Sequence, residues 1–320
     1  MPSAQTSRPL RKIERHTLRT RDGHRIAFGI AGAPDGIPVV VLHGGPGSGS
    51  NPGVLELFDL ARYRIVMIDQ RGAGASRPAG SLRHNSTAYL IDDIESVRTH
   101  LRIERWGVLG GSWGATLALA YAGNCTQAVR GVVLRGLFLS SAREVDGLFI
   151  TSRRRAPREW RRFAAAAQCS QPSRLFEACV RVLLHGRNPR QQQAVALAWA
   201  HYENAVLASA QHRRQARVKR RKAPLLRKMV GKYQIQMHYM LHRCWLGEPR
   251  LLSLARRAAQ AGVPLAAAHG TRDPICPATN LVRLRQSVPQ AQVRWVHAGH
   301  LGSDPALRDA VREAIRTMFG

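Results

Sequence analysis

The chain has 320 residues, 44% of them hydrophobic, and carries 49 Lys and Arg against 20 Asp and Glu, for a formal net charge of +29. That length and apolar content supply one large core, or a core with a substantial insertion, and exclude a disordered chain. The N-terminal stretch MPSAQTSRPLRKIERHTLRTRDG is basic with no apolar h-region, and runs such as AVALAWA are far too short to cross a bilayer, so a soluble cytoplasmic protein without membrane insertion is expected.

In chain order, HTLRTRDGHRIAFGIAG reads as a hairpin turning at Asp22 and Gly23. Two buried strands follow in IPVVVLHGG and YRIVMIDQRG. The stretch NSTAYLIDDIESVRTHLRI repeats apolar residues at helical spacing behind an N-cap at Ser86 or Thr87. RWGVLGGSWG is then strand into turn, ATLALAYAG a helix, and VRGVVLRG a strand. Beyond Ser140, as far as about Arg257, the sequence is rich in Arg, Ala and Gln and shows helical periodicity without a clear buried strand. Strands return at GVPLAAAHGTRDP and AQVRWVHAGH, and DPALRDAVREAIRTMF closes the chain as a helix. Short apolar strands alternating with helices predict an α/β fold with a mostly parallel sheet covered on both faces, interrupted by one helical insertion.

Chemistry enters at Gly110, Ser112 and Gly114, a G-x-S-x-G placed where a predicted strand ends and a predicted helix begins. That context is what a nucleophile elbow requires: small flanking residues let the turn close, and the following helix aims its N-terminal dipole at developing negative charge. A serine hydroxyl needs a base and an orienting carboxylate. Asp273 follows one late strand and His300 the next, giving the order Ser, Asp, His. His269 and His297 are rivals for the base, but both fall on predicted strands and read as core or sheet-edge residues. Asp304 competes with Asp273 and reads better as a cap for the last helix. HGGPGSGSNP, directly after the first buried strand, supplies one backbone donor for a tetrahedral oxyanion and Trp113 the other. As a phosphate loop the same glycines would need a Gly-Lys-Ser/Thr, which is absent.

The five cysteines (Cys125, Cys169, Cys179, Cys244, Cys276) are scattered and form no C-x-x-C pair, which favours reduced thiols over disulfides or a zinc site. The basic residues are spread along the chain without interleaved aromatics, so nucleic acid or another polyanion is a possible but unfavoured partner. The dense run HRRQARVKRRKAPLLRK is the candidate patch for it.

Taken together, HGGPG, DQRGAGAS, GGSWGATLALAYA, VVLRGLFL, DPICP and AGH resemble the proline iminopeptidase (prolyl aminopeptidase) family of α/β-hydrolases, from about His16 to the C-terminus. The resemblance implies an α/β-hydrolase core over residues 1–140 and 258–320 and a helical cap over 141–257. It implies Ser112, Asp273 and His300 as the triad, Gly45 and Trp113 as oxyanion donors, and no cofactor or metal. In this family cap glutamates hold the free amino terminus of the substrate. Glu203, in AWAHYENA, matches the first such motif, whereas the second, Arg-Ile-Glu-x-His-Tyr, appears as Gln234-Ile235-Gln236-Met237-His238-Tyr239, with Gln236 in place of the glutamate. The expected activity is release of N-terminal proline from peptides. The alternatives are a small ester or amide hydrolase of the same fold and a polyanion-binding protein using the basic cap.

Overall fold

The structure, a computed structural model, describes residues 12–210 and 223–320. Residues 212–222, the greater part of the basic run, lie outside the described residues, as does the N-terminal stretch to residue 11.

Strands β1 (Glu14–Arg19) and β2 (Arg25–Gly32) pair antiparallel across the turn at Asp22 and Gly23, as the sequence predicts. β3 (Ile37–Leu42) and β4 (Tyr63–Ile68) follow, then α1 (Thr87–His100) behind Ser86 at its N-cap. β5 (Trp106–Gly111) leads through a single residue into α2 (Trp113–Asn124), and β6 (Val129–Arg135) comes next. Among the described residues six α-helices succeed it: α3 (Ala142–Phe149), α4 (Pro157–Ala166), α5 (Leu175–Val180), α6 (Pro189–Ser209), α7 (Ala223–Leu241) and α8 (Gly247–Gln260). The chain ends with β7 (Leu265–Gly270), α9 (Thr279–Ser287), β8 (Gln292–Val296) and α10 (Pro305–Phe319).

Among the described residues eight strands form one sheet in the order β1-β2-β4-β3-β5-β6-β7-β8, parallel from β4 onward. The central strands are apolar at consecutive positions because both faces are covered. Along β4, Val66 and Ile68 enter the core beneath α1, α2, α8 and α9, while Ile65 and Met67 enter the opposite core beneath α10. The period-2 geometry of a strand sends neighbours to opposite faces, so an unbroken apolar run serves both cores.

The helices after β6 build a separate cluster around Phe149, Phe163, Trp199, Tyr202 and Tyr233. α8 instead packs on α2, adding Leu251, Leu254, Ala255 and Ala258 to the sheet-face core. We therefore propose that the cap comprises α3 to α7, a shorter span than 141–257. α7 joins the two units through two faces: Met229, Tyr233 and Met237, four residues apart, face the cap cluster, and Ile235 and Tyr239 face the sheet core. Its backbone also lies against glycines of the core loops. A Cβ on Gly47 would come within 2.9 Å of the Lys232 carbonyl oxygen, and one on Gly80 within 3.1 Å of the Gly231 Cα. No helix among the described residues is long and apolar enough to cross a membrane.

Candidate active site

Ser112 is the residue between β5 and α2, and it takes φ 57°, ψ −125°. A non-glycine residue in that region costs about 1–3 kcal/mol, and it persists only where the surroundings over-determine it. Here they do so on both sides. The Ser112 N–H donates to the Arg135 carbonyl on β6 (2.8 Å), and the Ser112 carbonyl accepts from the Ala115 N–H (2.8 Å). The flanking glycines have no room for a side chain, since a Cβ on Gly110 would lie 2.1 Å from the Gly114 oxygen and one on Gly114 2.0 Å from the Leu42 oxygen. The turn thus packs directly on the end of β3, with the N-terminus of α2 behind it.

Asp273 lies three residues beyond the end of β7, on a loop whose own N–H groups hold it: Oδ1 accepts from Ile275 and Cys276, both at 2.9 Å. Oδ2 accepts from His300 Nδ1 at 2.6 Å. Burial opposes the charge of Asp273, but His300 and His269 more than offset it, and the carboxyl is held well below the usual carboxylate range. His300 and Ser112 line the same cavity, of about 710 Å³. Burial pushes the Cys276 thiol, which lines the same cavity, well above its ordinary pKa, so it stays protonated.

The other sequence candidates are placed differently. His269 is on β7 as expected and fully buried, yet it is not remote from the site: its Nε2 lies 2.9 Å from the Cys276 carbonyl oxygen and 3.4 Å from Asp273 Oδ2. His297 falls one residue past β8, the edge strand of the sheet, and is exposed, so of its two readings, core or sheet edge, the core one is corrected. Asp304 occupies the N-cap position of α10, without a side-chain cap hydrogen bond.

Gly45 and Trp113 also line the cavity, Gly45 at φ 121°. Behind them is a network that sequence reasoning missed. The Gln70 N–H donates to His43 Nε2 (3.1 Å), its side-chain amide donates to the His43 carbonyl (2.8 Å), and its Oε1 accepts from Trp113 Nε1 (2.8 Å). With Nε2 accepting, His43 carries its proton on Nδ1 and donates it to the Gly44 carbonyl (2.8 Å). Burial holds this imidazole below its ordinary pKa, which keeps it neutral. Arg135, which also escaped notice, donates from Nη1 to the His300 carbonyl at 2.5 Å. Both lay inside motifs, HGGPG with DQRG and VVLRG, but a motif does not say which of its side chains turn toward one another.

On the cap side, α6 and α7 bring Glu203 and Gln236 together. Glu203 Oε1 accepts from Gln236 Nε2 at 2.9 Å and Oε2 from the Tyr233 hydroxyl at 2.8 Å. Lys232 Nζ lies 3.7 Å from the same Oε2, a contact that nothing in the sequence reading anticipated.

A family model described as the alpha/beta hydrolase fold matches residues 37–306. The chain is 35% identical over 305 residues to the proline iminopeptidase of Neisseria gonorrhoeae, covering 94% of this chain and 95% of that one. It is 36% identical to the Xanthomonas citri proline iminopeptidase over 301 residues, 93% of this chain and 94% of that one. The Arabidopsis thaliana proline iminopeptidase is 32% identical over 302 residues, 93% of this chain and 78% of its own length. Among solved structures, a putative aryl esterase from Burkholderia cenocepacia superposes with a TM-score of 0.60 at 16% identity, over 95% of this chain and 99% of that one, a likeness of fold alone. With that identity sustained along nearly the whole chain, and with a serine at the elbow of a mostly parallel sheet, this protein belongs to the proline iminopeptidase family of α/β-hydrolases.

Proposed function

We propose that this protein releases N-terminal proline from peptides through an acyl-enzyme on Ser112. The observation that carries the reading is the 35% identity to the Neisseria gonorrhoeae proline iminopeptidase over 94% of the chain, a span that takes in the elbow, the late-strand loops and the α6–α7 pair. Ser112 Oγ attacks the prolyl carbonyl carbon, and its proton passes to His300 Nε2, the ring nitrogen that Asp273 does not engage. Asp273 keeps the other nitrogen protonated and stabilises the imidazolium. The N–H groups of Gly45 and Trp113 receive the oxyanion, a contribution of about 2.7–4 kcal/mol for each donor. Collapse of the tetrahedral species expels the amine of the next residue, which takes the proton from His300. Water, deprotonated by the same imidazole, then attacks the ester and releases free proline.

Glu203 and Gln236 receive the substrate's amino end on the cap side of the cavity. A cytoplasmic setting agrees with five cysteines carried as free thiols. Turnover of L-proline p-nitroanilide by Ser112→Ala tests the assignment. Loss on the order of 10⁶-fold is expected, with an unchanged thermal unfolding profile. A folded Ser112→Ala protein keeping a large share of the wild-type rate would overturn it.

A further inference from the structure

Glu203 is a carboxylate in a cavity wall whose ligand positions are already crowded by the chain itself. Tyr233 and Gln236 donate to its two oxygens, and the Lys232 ammonium stands 3.7 Å from Oε2, with the Lys232 and Glu203 side chains 30% and 17% exposed. Lys232 is held there from two directions. Its Nζ lies 4.7 Å over the Tyr233 ring centroid, and its backbone rests against Gly47 of the loop that carries Gly45. Gln236, 3% exposed, turns its amide nitrogen to Glu203 and leaves its buried Oε1 with no hydrogen-bond partner. Glu203, Lys232 and Gln236 all line the cavity that holds Ser112 and His300. The three side chains therefore present one negative charge, one positive charge and an orphaned acceptor, a combination that sums to no net charge where an ammonium is to be received.

We propose that Lys232 is a specificity-determining residue whose ammonium competes with the substrate's N-terminal ammonium for Glu203. The inference rests on the prolyl aminopeptidase reading of the site and goes beyond it, naming the residue that sets how strongly a free amino terminus is held. An incoming ammonium meets repulsion from Lys232 at the distance where it would gain from Glu203, and in a partly desolvated wall neither interaction is fully screened. It finds its second acceptor in Gln236 Oε1. The wild-type protein accordingly binds free amino termini weakly for a site built around a carboxylate, and the discrimination between charged and neutral acyl ends is small.

Equilibrium binding by isothermal titration calorimetry separates this from the catalytic reading, because it needs no turnover. The probes are L-prolinol, which carries the cyclic ammonium without a scissile bond, and cyclopentylmethanol, its neutral counterpart. Wild type, Lys232→Met and Lys232→Arg are compared. The Kd of L-prolinol is expected to fall roughly tenfold in Lys232→Met and to stay near the wild-type value in Lys232→Arg, with the Kd of cyclopentylmethanol the same in all three. Equal L-prolinol affinity in wild type and Lys232→Met, tighter binding of both probes, or binding to none of the proteins would overturn the proposal. A wild-type protein that failed to cleave prolyl amides while showing the expected Kd pattern would instead remove the proposed activity and leave the role of Lys232 intact.

Discussion

Asp273 is surrounded by groups that favour its ionised form: two backbone N–H donors, the His300 imidazole and, at 3.4 Å, His269. Its carboxyl is held well below the usual range, so it carries its charge throughout the pH interval in which a catalytic imidazole gains a proton. One protonation on the base then governs the acid side of the profile, and log(kcat/KM) should fall with a limiting slope of about one. A slope of two, measured from pH–rate data on a prolyl amide, would mean that Asp273 titrates too. The same geometry separates the histidines. His300→Ala should lose activity on the order of 10⁶-fold. His297→Ala, at an exposed position beyond the sheet, should lose neither activity nor thermal stability. A large loss in His297→Ala would move the base to the wrong side of the loop.

Elements are joined at this site by small polar devices rather than by apolar area alone. Where β6 hands over to α3, Ser141 and Glu144 form a capping box, and the buried Glu144 carboxylate also accepts from the Leu139 N–H and from Asn280 Nδ2 on α9. One side chain thus pins the entry of the helical cap to a helix of the core. Replacing it with alanine strands several buried donors, at a cost of about 2–4 kcal/mol. Glu144→Ala should lower the thermal midpoint markedly, and Glu144→Gln, which retains one acceptor oxygen, should lower it less. Equal midpoints for the two variants would show that the carboxylate carries no such load. The Ser-x-x-Glu spelling of this box is present in the sequence, but Asn280 is 136 positions away and nothing local announces it. α9 itself went unread: it has nine residues and only two buried leucines to mark its face.

At the scale of the whole molecule the net charge of +29 repels a substrate that must arrive with a cationic amino end. Raising sodium chloride from about 20 mM to about 200 mM shortens the Debye length from roughly 20 Å to roughly 7 Å. The kcat/KM for a prolyl amide at neutral pH should therefore rise with salt by roughly two- to fivefold, while that for a neutral ester stays level. A decrease for the amide would mean that local carboxylates, Glu203 foremost, dominate the long-range field.

By itself the sequence determined the features that are local or periodic. These include the apolar strands, whose composition reflects burial on two faces, and the one-residue junction at Ser112, where small neighbours are compulsory. The order of serine, aspartate and histidine along the chain was equally legible, because each stands just past a strand that hydrophobic patterning reveals. Only the tertiary structure decided which polar groups meet. Gln70 reaches His43 and Trp113 from 27 and 43 positions away, and it does so because β3, β4 and β5 end side by side in the sheet. Lys232 met Glu203 for a similar reason: α6 and α7 pack together, and α7 is seated on the core by its backbone contact with Gly47. Such contacts leave no period and no composition bias in the chain, since they depend on the angle at which two separately encoded elements come to rest.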